Sequence, residues 1–117
     1  MDAVAVGLVA LVAALHLYFL VLEMFLWTGP TGRRVFGHDP AFAEASKVLA
    51  ANQGLYNGFL VAGLVWGLVT EQDDVTIFFL ACVVVAGVYG GATVSARILL
   101  VQAVPALLAL GAVLLAR

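Results

Sequence analysis

The chain has 117 residues, of which 65% are hydrophobic and only 10% are charged, and its mean hydropathy is +1.16. A water-soluble domain of this length needs more polar surface than these residues supply, so the composition excludes a soluble protein and favours an integral membrane protein. The formal net charge is -2, and no run of basic residues occurs. Because nucleic-acid binding requires a basic surface, no nucleic-acid partner is expected.

Apolar segments occur four times along the chain. Each is close to the length of about 20 residues that a helix needs to cross the hydrocarbon core of a bilayer. Backbone polar groups in hydrocarbon have to be hydrogen-bonded within their own segment, so each segment is predicted to form a helix. The predicted spans cover roughly residues 3–27, 48–69, 75–94 and 98–116.

The connections between these spans indicate how the helices are arranged. The second and third spans are separated by the acidic stretch TEQDDV (70–75), and the third and fourth by the tight turn SAR (95–97). Short connections favour antiparallel neighbours. We therefore predict an all-α fold in which residues 1–117 form a single integral membrane domain, a four-helix antiparallel bundle.

The longest connection, residues 28–47, contains a helix-start signal. Asp39 followed by Pro40 is typical of a helix N-terminus, and a short interfacial helix is predicted there. His38 precedes this signal and is expected to be solvated. The loop and the turn on the same side of the bilayer also contain most of the basic residues. These are Arg33, Arg34, Lys47 and Arg97.

This distribution of basic residues predicts the topology. Cytoplasmic loops carry an excess of Lys and Arg, so the loop 28–47 is expected in the cytoplasm and both termini outside. The expected location is the inner (plasma) membrane, which the chain crosses as a multi-pass protein.

Glycines recur at four-residue spacing inside the spans. Small residues let helix backbones approach closely in lipid, so these pairs are interpreted as packing ridges. The packing is either within one chain or between chains, and a homo-oligomer formed through the glycine ridges remains open. The pairs are Gly54 with Gly58, Gly63 with Gly67, and Gly87 with Gly91.

Polar residues inside the spans are the candidates for a functional site. His16 and Glu23 are two helical turns apart, at about 3.6 residues per turn, and project from nearly the same line. An ionisable group at the centre of a span costs roughly 2.5 kcal/mol or more, so it is expected to face protein or water. Counted at about 1.5 Å per residue from the long-loop side, polar residues of the other spans form two layers. Asn52, Gln53, Thr93 and Gln102 lie roughly 5–9 Å in, level with Glu23, and Tyr56, Asn57 and Tyr89 lie roughly 12–17 Å in, level with His16. Arg97 follows Thr93 by one turn.

These residues predict a polar cavity in one half of the bundle, beneath the basic loop. The competing interpretation is a network of interhelical hydrogen bonds that only satisfy one another. Such bonds contribute about 0.6 kcal/mol on average in membranes, so packing needs few of them, which favours a pocket. Two roles remain open for Arg97, which can pair with Glu23 or extend to lipid headgroups. Pro105 is expected to kink the fourth span.

Three blocks of the sequence carry a family resemblance. They are HLYFLVLEMFLWTGPTGRRVFG, ANQGLYNGFLVAGLVWG and GVYGGATVSARILLVQAVPALLAL, which extend over nearly the whole chain. Their patterns H-x6-E-M-x-L-W, NQGxYNGFLAAGL and YGxxT…QxxPA resemble the bacterial membrane family called domain of unknown function 1304, with a mild departure at Val61. The resemblance implies a four-helix integral membrane protein of this size. The family has no assigned activity, so the resemblance implies no catalytic role.

Three classes of function follow from the polar residues. The first is an enzyme or binding protein for a small apolar or amphipathic molecule, with Glu23 as general acid and His16 as its partner or base. The other polar residues would orient an oxygen of the ligand, and isomerisation or epoxide opening would suit such a site. The second is a proton-coupled small-molecule transporter, by architectural analogy only. The third is a purely structural or accessory membrane subunit.

No cofactor or metal site is predicted. The single cysteine, Cys82, provides neither an internal disulfide nor a cysteine-based zinc site. Haem binding through His16 is the one alternative, and no second ligand accompanies this residue at helical spacing.

Overall fold

The chain is almost entirely helical in the structure, a computed structural model that describes all of residues 1–117. Four of its helices are long and apolar enough to cross a membrane, by length and composition. This finding confirms the predicted all-α class with four long apolar helices. The inner-membrane location and the orientation of the loops stay predictions. The helices are α1 (Ala3–Met24), α2 (Pro30–Phe36), α3 (Pro40–Val69), α4 (Asp73–Thr93) and α5 (Ala96–Leu115).

The chain divides into two compact units. Residues 15–61 form one, here called the central unit, which contains the end of α1, all of α2 and most of α3. Residues 1–14 and 62–117 form the other, here called the terminal unit, which contains the remaining residues of α1 and α3 with α4 and α5.

The segment between α1 and α3, in the central unit, is more helical than the sequence indicated. Pro30 begins α2, where its fixed φ suits the first helical turn. Gly37 ends α2 in the left-handed conformation, with φ of 69°, and its N–H donates to the carbonyl of Arg33. The carboxylate of Asp39 accepts from the N–H of Phe42 at 2.8 Å and caps the following helix. That helix is α3 itself, because no breaker separates the predicted interfacial turns from the second span.

Glycines let α3 approach its neighbours within the central unit. A Cβ at Gly54 would lie 2.5 Å from Met24 Cγ and 3.3 Å from Glu23 Cβ on α1. A Cβ at Gly58 would lie 3.0 Å from Leu20 Cδ1. This pair therefore packs against α1 of the same chain, as the spacing predicted for a packing ridge.

The terminal unit uses its glycines in the same way. A Cβ at Gly87 would lie 2.6 Å from the backbone nitrogen of Ala103, which brings α4 and α5 into backbone contact. A Cβ at Gly91 would lie 2.8 Å from Leu99 Cβ. Gly63 and Gly67 approach α4 within the same unit. Every glycine pair therefore packs inside the chain, and association between chains stays a prediction.

The fourth span contains a local change of helix type. Leu99–Ala103 is π-helical, and the N–H of Val104 donates to the carbonyl of Leu99. Pro105 has no N–H to donate to the carbonyl one turn earlier, so the ordinary hydrogen-bond pattern cannot continue there. A π turn at this point is one of the ways in which a helix adapts to such a residue.

Candidate functional site

Glu23 lies in the last turn of α1 and is partly buried. The Nδ2 of Asn57 on α3 donates to its Oε1 at 2.5 Å. Asn57 itself is only 6% exposed, so its amide is held where it can reach this carboxylate. Hydrogen bonds in which one partner is ionised are stronger than those between neutral groups. The contact joins two of the sequence-predicted site residues across different helices.

An open groove with a volume of 490 Å³ lies beside Glu23, and all its lining residues belong to the central unit. Its floor and walls come from the end of α1, the residues that follow it, and one face of α3. The polar lining residues are Glu23, Thr28, Lys47 and Asn52. The apolar lining residues are Met24, Phe25, Trp27, Val48, Ala51 and Leu55.

Two of the polar groups at the groove have partners of their own. The Nδ2 of Asn52 donates to the carbonyl of Val48 at 2.9 Å, one turn earlier on α3, which leaves the side-chain oxygen of Asn52 as an acceptor. The ammonium of Lys47 forms an ion pair with the carboxylate of Glu44. The ammonium of Lys47 is therefore already paired with a carboxylate. The carboxyl group of Glu23 accepts its hydrogen bond from an amide.

An aromatic cluster holds one wall of the groove, and the sequence did not indicate it. The indole Nε1 of Trp27 donates to Ser46 Oγ at 3.0 Å, and Ser46 Oγ donates to the carbonyl of Phe42 at 2.6 Å. The rings of Trp27 and His38 have centroids 4.3 Å apart, and those of Trp27 and Phe36 are 4.8 Å apart. These contacts fix the position of Trp27 relative to α2 and the start of α3.

His38 lies in the connection between α2 and α3, where it is half-buried and takes part in this cluster. Its Nε2 donates to the carbonyl of Trp27 at 3.2 Å, and because a carbonyl oxygen only accepts, that nitrogen carries a proton. The sequence predicted the loop position of His38 but a solvated side chain, and the ring contacts were missed because α2 was not predicted. Pro30 and Gly37, which mark the two ends of α2, are the signal that would have predicted a compact segment.

The other predicted site residues of the central unit have different surroundings. His16 is fully buried and its ring meets that of Phe19 edge to face, with centroids 5.3 Å apart. Tyr56 is 56% exposed, and Gln53 is exposed one turn before Asn57. The central unit therefore brings Glu23 and Asn52 to the groove and Asn57 against Glu23. Asn52, Gln53 and Tyr56 are all exposed, and of these three only Asn52 lines the groove.

The remaining predicted site residues belong to the terminal unit. Tyr89 is 71% exposed, and its carbonyl accepts from Thr93 Oγ1 at 2.7 Å. Arg97 follows Ser95, whose hydroxyl caps the first turn of α5 by accepting from the N–H of Arg97 at 3.3 Å. Gln102 lies in the π-helical segment and is half-buried. The roles predicted for these residues stay predictions.

Comparisons with known proteins agree with the resemblance carried by the sequence blocks. The family model DUF1304, described as "Protein of unknown function", matches residues 10–114. The uncharacterized protein YpaA of Lactococcus lactis subsp. lactis (strain IL1403) is 32% identical over 114 residues, which cover 94% of this chain and 96% of that protein. No solved structure matches. The match extends over both units and includes every residue of the groove, and the chain belongs to the DUF1304 family.

Proposed function

We propose that the protein binds a small, mostly apolar molecule in the groove of the central unit and acts on it by proton transfer through Glu23. The observation that carries this proposal is the Glu23 carboxylate, held by Asn57 within a predicted membrane span and lining a mainly apolar groove. An ionisable residue inside a span is costly, and such residues mark substrate and proton pathways in membrane proteins.

The size and lining of the groove support a small-molecule ligand. Its volume of 490 Å³ falls within the range of about 300–1,000 Å³ that is usual for small-molecule sites. Such sites are lined mainly by apolar and aromatic side chains with a few polar groups that fix the ligand's orientation. Phe25, Trp27 and Leu55 are lining residues of the first kind, and Glu23 and Asn52 are of the second.

The hydrogen bond from Asn57 supports a chemical role for Glu23. Asn57 occupies Oε1 and orients the carboxyl group, which leaves Oε2 for a ligand. A carboxyl group in this position would donate a proton to an oxygen of the bound molecule or remove one from it. Isomerisation and epoxide opening are reactions of this type, and both need an oriented acid within hydrogen-bonding distance of the reacting atom.

His16 is proposed as the partner of Glu23 at a distance. The two residues are seven positions apart on α1, which places their backbones about 10 Å apart along the helix axis. A proton therefore cannot pass directly between the two side chains. His16 is fully buried and does not line the groove, so it would act on Glu23 through intervening water rather than on the ligand itself.

The first test uses N,N′-dicyclohexylcarbodiimide, an apolar reagent that adds to a protonated carboxyl group and leaves a stable N-acylurea. The protein is reconstituted in phosphatidylcholine nanodiscs, labelled, and analysed by peptide mass spectrometry. We expect modification at Glu23, and none at this position in the Glu23→Gln variant. Glu71→Gln is the matched control, because Glu71 is exposed, forms no ion pair and does not line the groove, and it should leave labelling at Glu23 unchanged.

Two outcomes would contradict the proposal. One is an unmodified Glu23 when the reagent is in excess, which would mean that no apolar molecule reaches this carboxyl group. The other is equal labelling of the protein and of the Glu23→Gln variant, which would place the reactive carboxyl group elsewhere.

A further inference from the structure

We infer that the ligand of the groove is a lipophilic cation, an amine that is protonated at neutral pH and carries an apolar body. This inference rests on the proposed function and specifies the class of molecule that the same site takes. It follows from two acceptor oxygens that remain available at the groove, from the charged groups around it, and from where the apolar surface lies.

Two side-chain oxygens at the groove remain available as acceptors. Glu23 keeps Oε2, because Asn57 donates to Oε1. Asn52 keeps its side-chain oxygen, because its amide nitrogen donates to the carbonyl of Val48. The indole N–H of Trp27 is used by Ser46. A ligand that brings a hydrogen-bond donor would satisfy these oxygens, whereas one that brings only acceptors would leave them unpaired at a cost.

The charged groups around the groove also favour a cationic ligand. Lys47 is the only cationic residue in the lining, and its ammonium pairs with Glu44. Within the central unit the carboxylate of Glu23 is held by an amide and by no cationic side chain. In its ionised form Glu23 therefore gives the groove a negative charge with no cationic partner in a mainly apolar lining, where a charge of the opposite sign is bound more strongly than in water.

The rest of the groove suits the apolar body of such a molecule. Val48 and Leu55 are seven residues apart on α3, so they extend the apolar wall by about 10 Å along the helix. Phe25 is 72% exposed and Val48 is 68% exposed, so apolar side chains form the open rim. Aromatic rings at the lining, from Phe25 and Trp27, add the attraction of their faces for cations.

The test compares ligands of one chain length that differ in the head group: N,N-dimethyldodecylamine, dodecanol and dodecanoate. Binding is followed through Trp27, which lines the groove, in a Trp66→Phe background that leaves it as the only tryptophan. Trp66 belongs to the terminal unit and is not one of the groove-lining residues, which makes it the tryptophan to replace. The tertiary amine also cannot form an amide with a carbodiimide-activated carboxyl group, so it serves as a competitor in the labelling assay.

We expect the amine to change Trp27 emission saturably and to bind about tenfold or more tightly than dodecanol, since hydrogen bonds between charged partners exceed neutral ones. Dodecanoate should bind more weakly than either. In the Glu23→Gln variant the preference for the amine over the alcohol should disappear. The amine should also protect Glu23 from the carbodiimide at concentrations that saturate the fluorescence change.

Two results would overturn the inference while leaving the proposed function standing. One is labelling of Glu23 by the carbodiimide together with dodecanol binding that is as tight as, or tighter than, binding of the amine. The other is a preference for the amine that persists in Glu23→Gln, which would assign it to the bilayer rather than to the groove. An unlabelled Glu23 with no saturable binding of any of the three ligands would instead overturn the proposed function itself.

Discussion

Replacing Gly54 by alanine should damage the contact that holds the candidate site together. The added Cβ would lie 2.5 Å from Met24 Cγ, and 3.3 Å from both Glu23 Cβ and the carbonyl oxygen of Leu20. The first distance is shorter than any real Cβ contact, and the obstructing atom is in the middle of the methionine side chain rather than at its flexible end. The helices must therefore separate at this level, or the side chains of α1 must leave their rotamers.

The size of this effect can be compared with ordinary overpacking. Inserting a methyl group into a closely packed contact typically costs about 1–3 kcal/mol. Gly54→Ala should therefore lower the free energy of unfolding by this amount, measured as an earlier transition when sodium dodecyl sulfate is titrated into the detergent-solubilised protein. Because Asn57 follows Gly54 by one turn, separation of α1 and α3 should also weaken the hydrogen bond to Glu23.

Two other glycines provide matched controls for this experiment. A Cβ at Gly7 or Gly111 would meet nothing within 4 Å, although both glycines lie inside long helices. Gly7→Ala and Gly111→Ala should leave the transition unchanged or shift it slightly toward higher stability, because alanine favours the helix. An unfolding transition of Gly54→Ala that coincides with those of the two controls would refute the close approach of α1 and α3 at Gly54.

Two further predictions concern the contacts around the groove. Asn57→Leu keeps a similar side-chain volume but removes the donor to Glu23, and should cost about 1–3 kcal/mol because a partly buried carboxylate loses its partner. A double-mutant cycle with Glu23→Leu measures the coupling, and strictly additive losses would mean that the two side chains do not interact. Ser46→Ala removes the acceptor of the Trp27 indole and should cost about 0.5–1.5 kcal/mol. It should also shift the emission of Trp27 in the Trp66→Phe background, whereas an unchanged spectrum would contradict that hydrogen bond.

Composition predicted the helical class, and the position of polar residues inside apolar segments predicted the candidate site residues. Both predictions depend only on local properties of the chain. Apolar runs of bilayer length identify spans irrespective of their partners. The helix cap at Asp39 was also readable, since it involves residues that are close in the sequence. The length of α3 was not readable, because the boundary between an interfacial helix and a span depends on breakers, and this stretch contains none.

Depth alone could not select the partner of Glu23. Counting along a helix gives the height of a side chain, whereas a contact also depends on the rotation of each helix about its axis. The depth count put Asn52 and Gln53 level with Glu23 and Asn57 in the deeper layer, yet Asn57 is the one that donates to the carboxylate. Gln53 is four residues before Asn57 on the same helix, yet it is exposed. The rotation is determined by the packing of α3 against α1, which no single segment encodes.

The glycines of α3 contain the missing information about this rotation. Gly54 and Gly58 both face α1, and Asn57 lies between them at helical spacing, so all three belong to one face of α3. The asparagine side chain is short, and it reaches across to Glu23 only because its glycine neighbours allow the two backbones to approach. Sequence reasoning treated the glycines as packing residues and the polar residues as a site. In the folded chain the two act together, since the close packing of α3 on α1 is what brings the amide to the carboxylate.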